Sequence, residues 1–425
     1  MKHCPRARSA HLVLALLSFC FLAAVAHGEA PDPLSREATI SRMRAGVTKL
    51  NELYWSPTLH IWFDRPGDDL RAHYEGRLNP PWWPSANAVE MLVDFMRAAG
   101  TSEYDKSIGA LYDLQKDSRT RRSLLVAELQ RRHQWSEADD QAWQRELQKT
   151  ANAPATATGY YSDFQNEYLD DSGWWGIAWL KMYDRTGAAK YLATAKTIHA
   201  HMAKNWMPAK GGGIMWCEDA DKQRPNAITN SLFLILSSRL YQATGEQPYL
   251  HSAEKTLEWL HANALCDGIA VVDGIGHHGD YWSYNQGALI GGLTSLYEAT
   301  GHAEYLDEAV KVAGTVLHRS GLMLPSGVLV EKLGTKGDAT LFKGVLTRYL
   351  AQLRGVLQAG KQHPHMESEI DRCLRNSAES IMQHGIGADG LFGAEWHEGA
   401  KDHGTGFNAQ ISALTALGTA IPATP

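Results

Sequence analysis

The sequence is poor in cysteine. Five occur in 425 residues, and Cys4 and Cys20 lie within the first twenty. Cys217, Cys266 and Cys373 remain, and an odd three allows one disulfide at most and no disulfide framework. No C-x-x-C and no H-E-x-x-H occurs, so neither metal nor cofactor is expected. Gly211-Gly212-Gly213 is not followed by G-K-[ST] and reads as a turn, not a phosphate loop. Excess positive charge is missing too: 41 Lys and Arg stand against 47 Asp and Glu, a formal charge of −6. An acidic chain of this kind is a poor partner for nucleic acid. Strand-like alternation is nearly absent, which points away from a sheet protein.

Long apolar runs are also scarce. The clearest spans Leu12 to Ala26, follows Lys2, Arg6 and Arg8, and ends in Ala24-Val25-Ala26. That pattern reads as a secretory signal peptide over residues 1–26. It is short for a membrane span. The expectation is a secreted or periplasmic protein, without a membrane span after processing, and monomeric. Residues 27–425 then read as a single domain.

What the chain does contain is a hidden repeat. "TGAAKYLATA" begins at Thr186, "TGEQPYLHSA" at Thr244 and "TGHAEYLDEA" at Thr300. A degenerate copy, "AGTSEYDKSI", begins at Ala99. Tyr191, Tyr249 and Tyr305 lie 58 and 56 residues apart (249 − 191 and 305 − 249). Each copy reads as the end of one helix, a Gly cap, a short loop and the start of the next. Walking back from each Gly gives helices apolar round most of their circumference, the mark of buried helices. They span Trp82 to Gly100, Glu167 to Gly187, Pro225 to Gly245, Tyr281 to Gly301, Asp338 to Gly360, and His403 to about Ala420. Amphipathic segments lie between them, and one more, Arg36 to Tyr54, opens the mature chain. The fold predicted is all-α, an (α/α)6 barrel of six inner and about six outer helices, with the N-terminal helix beside the last inner one. Gln115 to Thr158 breaks the period as a charged insertion near 115–158, read as two short helices on the barrel wall.

The inner helices of such a barrel start at one end. Their heads bring together Trp82 and Trp83; Asp170 and Asp171; Asn226, after Trp216, Glu218 and Asp219; Tyr284, Asn285 and Gln286; Lys343, with Arg348 deeper; and Asn408 and Gln410. Carboxylates, amides and indoles round a cleft suit a sugar. Lys343 is expected to pair with Asp170 or a substrate hydroxyl, because a lone buried ammonium is costly. Arg348 is either a substrate contact or an ion-pair partner. One of Trp174 and Trp175 at least is expected in the core, and His277-His278 in a solvated loop.

Asp170 and Asp171 carry the chemistry. Adjacent residues at a helix start diverge by about 100°, which lets their carboxyls sit on the order of 5 Å apart. A retaining glycosidase uses that separation. The helix N-terminus favours one ionised carboxylate, and its charge keeps a proton on the other. An Asp-Asp pair is also an ordinary helix start; its company of polar helix heads favours catalysis. Two other classes remain open. A sugar epimerase of the same fold would carry histidines at the heads, where only the loop residue His403 occurs. A non-catalytic glycan-binding protein would need the amides and aromatics without the paired acids.

"YLDDSGWWGIAWLKMYDRTG", "GGGIMWCED", "RPNAITNSLFLILSSRLYQATG", "YWSYNQGALIGGLTSLYEATG" and "LFKGVLTRYLAQL" together resemble glycoside hydrolase family 76 from about Trp82 to Leu417. The resemblance implies an (α/α)6 barrel, no metal, and retaining endo-α-1,6-mannanase activity on α-mannan or manno-oligosaccharide. It places the nucleophile at Asp170 and the acid/base at Asp171, and matches family segments to Tyr284–Gly287 and Lys343-Gly344. The insertion before Tyr160 departs from the family's compact form and bears on subsite shape.

Overall fold

The computed structural model describes residues 34–151, 161–263, 270–276, 279–398 and 406–421. The segment read as a signal peptide, Cys266, His277-His278 and the loop bearing His403 lie outside the described residues. In chain order the elements are α1 (Arg36–Tyr54), a hairpin of β1 (Trp55–Ser56) and β2 (Ile61–Trp62), α2 (Leu70–Tyr74), α3 (Trp82–Ala99), α4 (Asp105–Gln115), α5 (Ser118–Arg131), α6 (Glu137–Thr150), α7 (Leu169–Thr186), α8 (Ala189–Lys204), α9 (Ala227–Thr244), α10 (Gln247–Ala262), α11 (Ser283–Thr300), α12 (Ala303–His318), α13 (Ala339–Gly360), α14 (Pro364–His384) and α15 (Phe407–Thr419).

Helices α3, α7, α9, α11, α13 and α15 each pack on the next, and α15 returns to α3. They form the inner ring of an (α/α)6 barrel. Helices α8, α10, α12 and α14 lie outside, against one or both members of an inner pair, and α1 sits across α15 and α3. The inner helices are apolar because they are covered on every side: Ala227 through Ser238 in α9 and Asn285 through Leu296 in α11 are all buried. Among the described residues, no helix is long and apolar enough to cross a membrane.

The repeat has a physical cause at the helix ends. Gly187, Gly245 and Gly301 end α7, α9 and α11 in the left-handed region, at φ 68°, 70° and 75°. The Thr before each Gly bonds both ways. Thr186 donates to the Met182 carbonyl at 2.7 Å and accepts from the Ala188 amide at 3.3 Å. Thr244 and Thr300 repeat the pair of bonds. The tyrosine that follows seats the next helix: the Tyr191 ring stacks on Trp179 at 5.4 Å.

Helices α5 and α6 occupy the charged insertion. Leu125 and Leu129 of α5 join Leu59, Ile61, Phe63, Leu70 and Leu78 in a small core separate from the barrel's. Arg71 ties this unit to α6 through Asp139, at 2.9 Å.

Ring closure requires close helix approach. A Cβ on Gly344 of α13 would lie 2.7 Å from the Ser412 Cα of α15. Gly344→Ala gains about 1 kcal/mol of helix propensity but forces α13 from α15, at a cost of about 1–3 kcal/mol. The expected outcome is net destabilisation, read as a lower urea midpoint; an unchanged or raised midpoint would show that the two helices can separate freely.

Candidate active site

The N-termini of α3, α7, α9, α11 and α13 line a cleft of about 460 Å³, within the range of small-ligand pockets, roughly 300–1,000 Å³. Neighbouring loops are stitched together there by short antiparallel bridges, Tyr168 with Cys217, Met215 with Pro225, and Asn226 with Gly274. The first of these lays Trp216 over the start of α7, where the Leu169 amide donates to the Trp216 carbonyl at 2.9 Å.

Asp170 and Asp171 occupy the first turn of α7, and both line the cleft. Asp170 accepts from the Asp171 amide at 3.1 Å and from the Trp216 indole N–H at 3.1 Å. Asp171 accepts from the Asn166 side-chain amide at 2.7 Å. Asn166 is itself fixed, its amide N–H donating to the Ser172 hydroxyl at 3.2 Å. Burial raises the pKa of both carboxyls, and each also feels the charge of Asp338. The Asp170 charge adds a further upward push on Asp171. Two N–H donors serve Asp170 and one serves Asp171, so Asp170 is the easier of the two to ionise and Asp171 holds its proton to higher pH.

The walls are aromatic and acidic. Trp83 stacks on Trp174 at 5.7 Å, and Tyr284 on Phe342 at 3.8 Å with the planes 4° apart. Among the described residues, Asp273 and Asp338 bring the lining carboxylates to four, against one cation, Arg224, whose guanidinium lies 4.9 Å from the centre of the Trp216 ring. Trp174 thus lines the cleft while Trp175 is in the core, fully buried.

Of the side chains singled out in the sequence, Asp170, Asp171, Trp216, Asn226 and Tyr284 meet in this cleft. Asn226 also caps α9, accepting from the Thr229 amide at 3.2 Å. Asn285, Gln286, Lys343 and Arg348 do not line it, for reasons of side-chain direction. Asn285 lies behind the wall and donates to Asp273 at 2.9 Å. Gln286 forms a two-way bond with the Val271 backbone, at 2.6 and 2.8 Å. Asn230 does the same to Ile214 and Gln410 to Phe392. Lys343 turns away from Asp170: its ammonium donates to the Ala394 carbonyl at 2.7 Å and sits over the Trp396 ring. Burial lowers its pKa to about 8, against the nearby charges of Glu395 and Glu331. Arg348 donates to Asn87 at 2.7 Å and Glu90 at 2.8 Å, beside a second cavity of about 680 Å³ near the helix C-termini. Glu218 and Asp219 are engaged outside the cleft, with Tyr161 and Lys222. Cys217 and Cys373 are buried free thiols.

The sequence reading passed over Asp338, Asp273, Tyr168, Phe342 and Arg224. Asp338 was visible as the first residue of the fifth inner helix, in the same setting as the acid pair. Asp273 lies in an aperiodic loop that gives no signal.

A family model described as glycosyl hydrolase family 76 matches residues 59–423. A mannan endo-1,6-alpha-mannosidase, DFG5 of Saccharomyces cerevisiae, is 27% identical over 275 residues, 58% of each chain. A putative mannan endo-1,6-alpha-mannosidase of Schizosaccharomyces pombe is 23% identical over 80% of this chain and 74% of its own. The match thus spans only 58% of the length of DFG5. Among solved structures, the GH76A alpha-1,6-mannanase of Salegentibacter sp. HEL1_6 superposes with a TM-score of 0.70 at 22% identity, over 90% of this chain and 98% of that one. An inactive variant of that mannanase, with two consecutive aspartates replaced by alanine, is described in complex with alpha-1,6-mannotetrose.

The acid pair has a stability signature. Both carboxyls bind a proton more tightly in the folded chain than in the unfolded one, where they titrate near 4. Their contribution to stability is therefore complete below about pH 4 and is lost as pH rises through the folded values. Asp171→Asn removes the Asp171 share of that loss and the Asp171 charge beside Asp170. At pH 8 the variant should melt about 2 °C above wild type, with the difference closing toward pH 4. A variant less stable than wild type at pH 8 would mean that the buried carboxyls are not held against their charge.

Proposed function

Because the chain belongs to glycosyl hydrolase family 76, we propose that it is an endo-α-1,6-mannanase that retains anomeric configuration. The observation that carries this is the unlike environment of two adjacent acids at one cleft wall. Asp170 holds two N–H donors, and Asp171 is crowded by the Asp170 charge. The mannanase and mannosidase names of the relatives, and the paired aspartates absent from the inactive mannanase variant, support the same substrate and the same residues.

In the first step an Asp170 oxygen attacks C1 of the mannosyl unit. The bond from C1 to the linking O6 breaks, and O6 takes the proton held by Asp171. The first chain fragment leaves with a free 6-hydroxyl. In the second step water attacks C1, gives one proton to the Asp171 carboxylate, and the bond from C1 to Asp170 breaks. The Asp171 proton is thus restored each turn. Trp216 and the α7 N-terminus favour negative charge on Asp170 before attack and after release. Stacked aromatic walls offer apolar faces to pyranose rings. The basic start and apolar run of residues 1–26 support export, and the one closed ring of inner helices supports a single catalytic domain over 27–425, with the insertion against the head of α3.

Replacing Asp170 with Asn should lower kcat on linear α-1,6-mannan on the order of 10⁴-fold or more while binding of α-1,6-manno-oligosaccharide persists. A variant that keeps a tenth of the activity would place the nucleophile elsewhere. Stereochemistry gives a separate check. Inversion needs carboxyls roughly 6.5–9.5 Å apart to admit a water, which neighbours on one helical turn do not provide. Proton NMR during early hydrolysis should show the α-anomer first; an initial β-anomer would rule out the two-step route.

A further inference from the structure

The inner ring runs α3, α7, α9, α11, α13, α15, so α13 stands diametrically opposite α7. The heads of both helices open on the cleft. Asp170 and Asp171 lie at one, and Asp338, the residue that begins α13, lies at the other. Asp338 is exposed to the mouth. It makes no capping bond to its own helix, so its carboxylate is not needed to start α13. One oxygen accepts from the Trp83 indole N–H at 3.2 Å. The same indole stacks on Trp174, one turn along α7 from Asp170. A single tryptophan therefore fixes Asp338 relative to the acid pair, and does so from a third helix. Phe342, one turn into α13, continues the wall beneath Asp338 and stacks on Tyr284.

We propose that Asp338 is a substrate-binding residue that accepts hydrogen bonds from hydroxyls of the mannosyl unit undergoing cleavage, across the ring from the acid pair. This rests on the mannanase reading of the same cleft. A sugar spanning the mouth presents its anomeric carbon to Asp170 and hydroxyl donors to the far side. There, a carboxylate with one oxygen held by Trp83 has its other oxygen left to accept. Charged acceptors make stronger hydrogen bonds than neutral ones, and bonds to sugar hydroxyls in glycosidases tighten as the oxocarbenium-like transition state forms.

The same charge has a second consequence. Asp171 is faced by Asp170 and Glu167 from its own segment and by Asp338 from α13, and each raises its pKa, while Asn166 lowers it. Asp273 and Arg224 also line the cleft, from the loops before α11 and α9. Removing the Asp338 charge loosens the Asp171 proton.

Two measurements test this. The first is α-1,6-mannotriose binding by calorimetry, comparing Asp170→Asn with Asp170→Asn/Asp338→Ala. The expected result is at least a tenfold loss of affinity in the double variant; equal affinities overturn the proposal. The second is the pH profile of kcat/KM on α-1,6-mannan for Asp338→Asn, where the expected result is a fall of at least tenfold and an alkaline limb moved to lower pH. A merely structural residue would lower the melting temperature and leave the limb in place, and that result also overturns it. Wild-type hydrolysis is the control. Its absence would defeat the mannanase reading and this inference with it, whereas an active wild type with unaffected Asp338 variants would defeat the inference alone.

Discussion

Three buried amide side chains hold the mouth of the barrel. Asn230, Gln286 and Gln410 each lie within the first turn of an inner helix and form a two-way bond with one backbone residue of the loop before it. Each pairing satisfies both a buried N–H and a buried C=O, which is costly to leave undone. The loops so fixed carry the site. Ile214 is two residues from Trp216, whose indole donates to Asp170, and Val271 is two residues from Asp273 on the cleft wall. Removing a clamp would release a loop whose side chains are useful only in one place.

The site that results is held against its own charge. Two neighbouring carboxyls at a buried helix head cannot both ionise cheaply, and two further carboxylates face them across the same mouth. The surroundings are aromatic rather than cationic, with Arg224 the one cation among the described lining residues. A structural ion-pair network would have placed a base beside Asp170, and Lys343, about a turn into α13, was available for that role. It is instead bonded to the Ala394 carbonyl and covered by Trp396. An acid that carries a proton at working pH, the role proposed for Asp171, is better left unneutralised. The stability sacrificed at the mouth is offset by the ring, whose helices are buried over most of their length and approach closely where Gly287 and Gly344 lie.

The charged insertion sits apart from this core. Its helices α5 and α6 build on the β1–β2 hairpin and α2, with their own cluster round Leu125 and Leu129. Arg121 of α5 lies over the Trp82 ring at 4.6 Å, and Trp82 neighbours the cleft residue Trp83 in α3. The insertion thus braces the head of α3 from outside the barrel.

Much of the fold was legible in the sequence because its signals are local. The Thr-Gly ends of α7, α9 and α11 follow from one left-handed glycine and one hydroxyl, and apolar periodicity of the buried helices follows from their enclosure. The acid pair was legible for the same reason, since adjacency on a helix fixes how far two carboxyls can part. The direction of every other head residue was not. Successive side chains turn by about 100°, so one step along a helix separates a cleft residue from a buried one. Tyr284 faces the cleft, while Asn285 and Gln286 bond behind it. Only the closed ring sets which way each helix is turned. Tertiary packing therefore gave Arg348 to Glu90 and Lys343 to Ala394, and it set Asp338 opposite the paired acids.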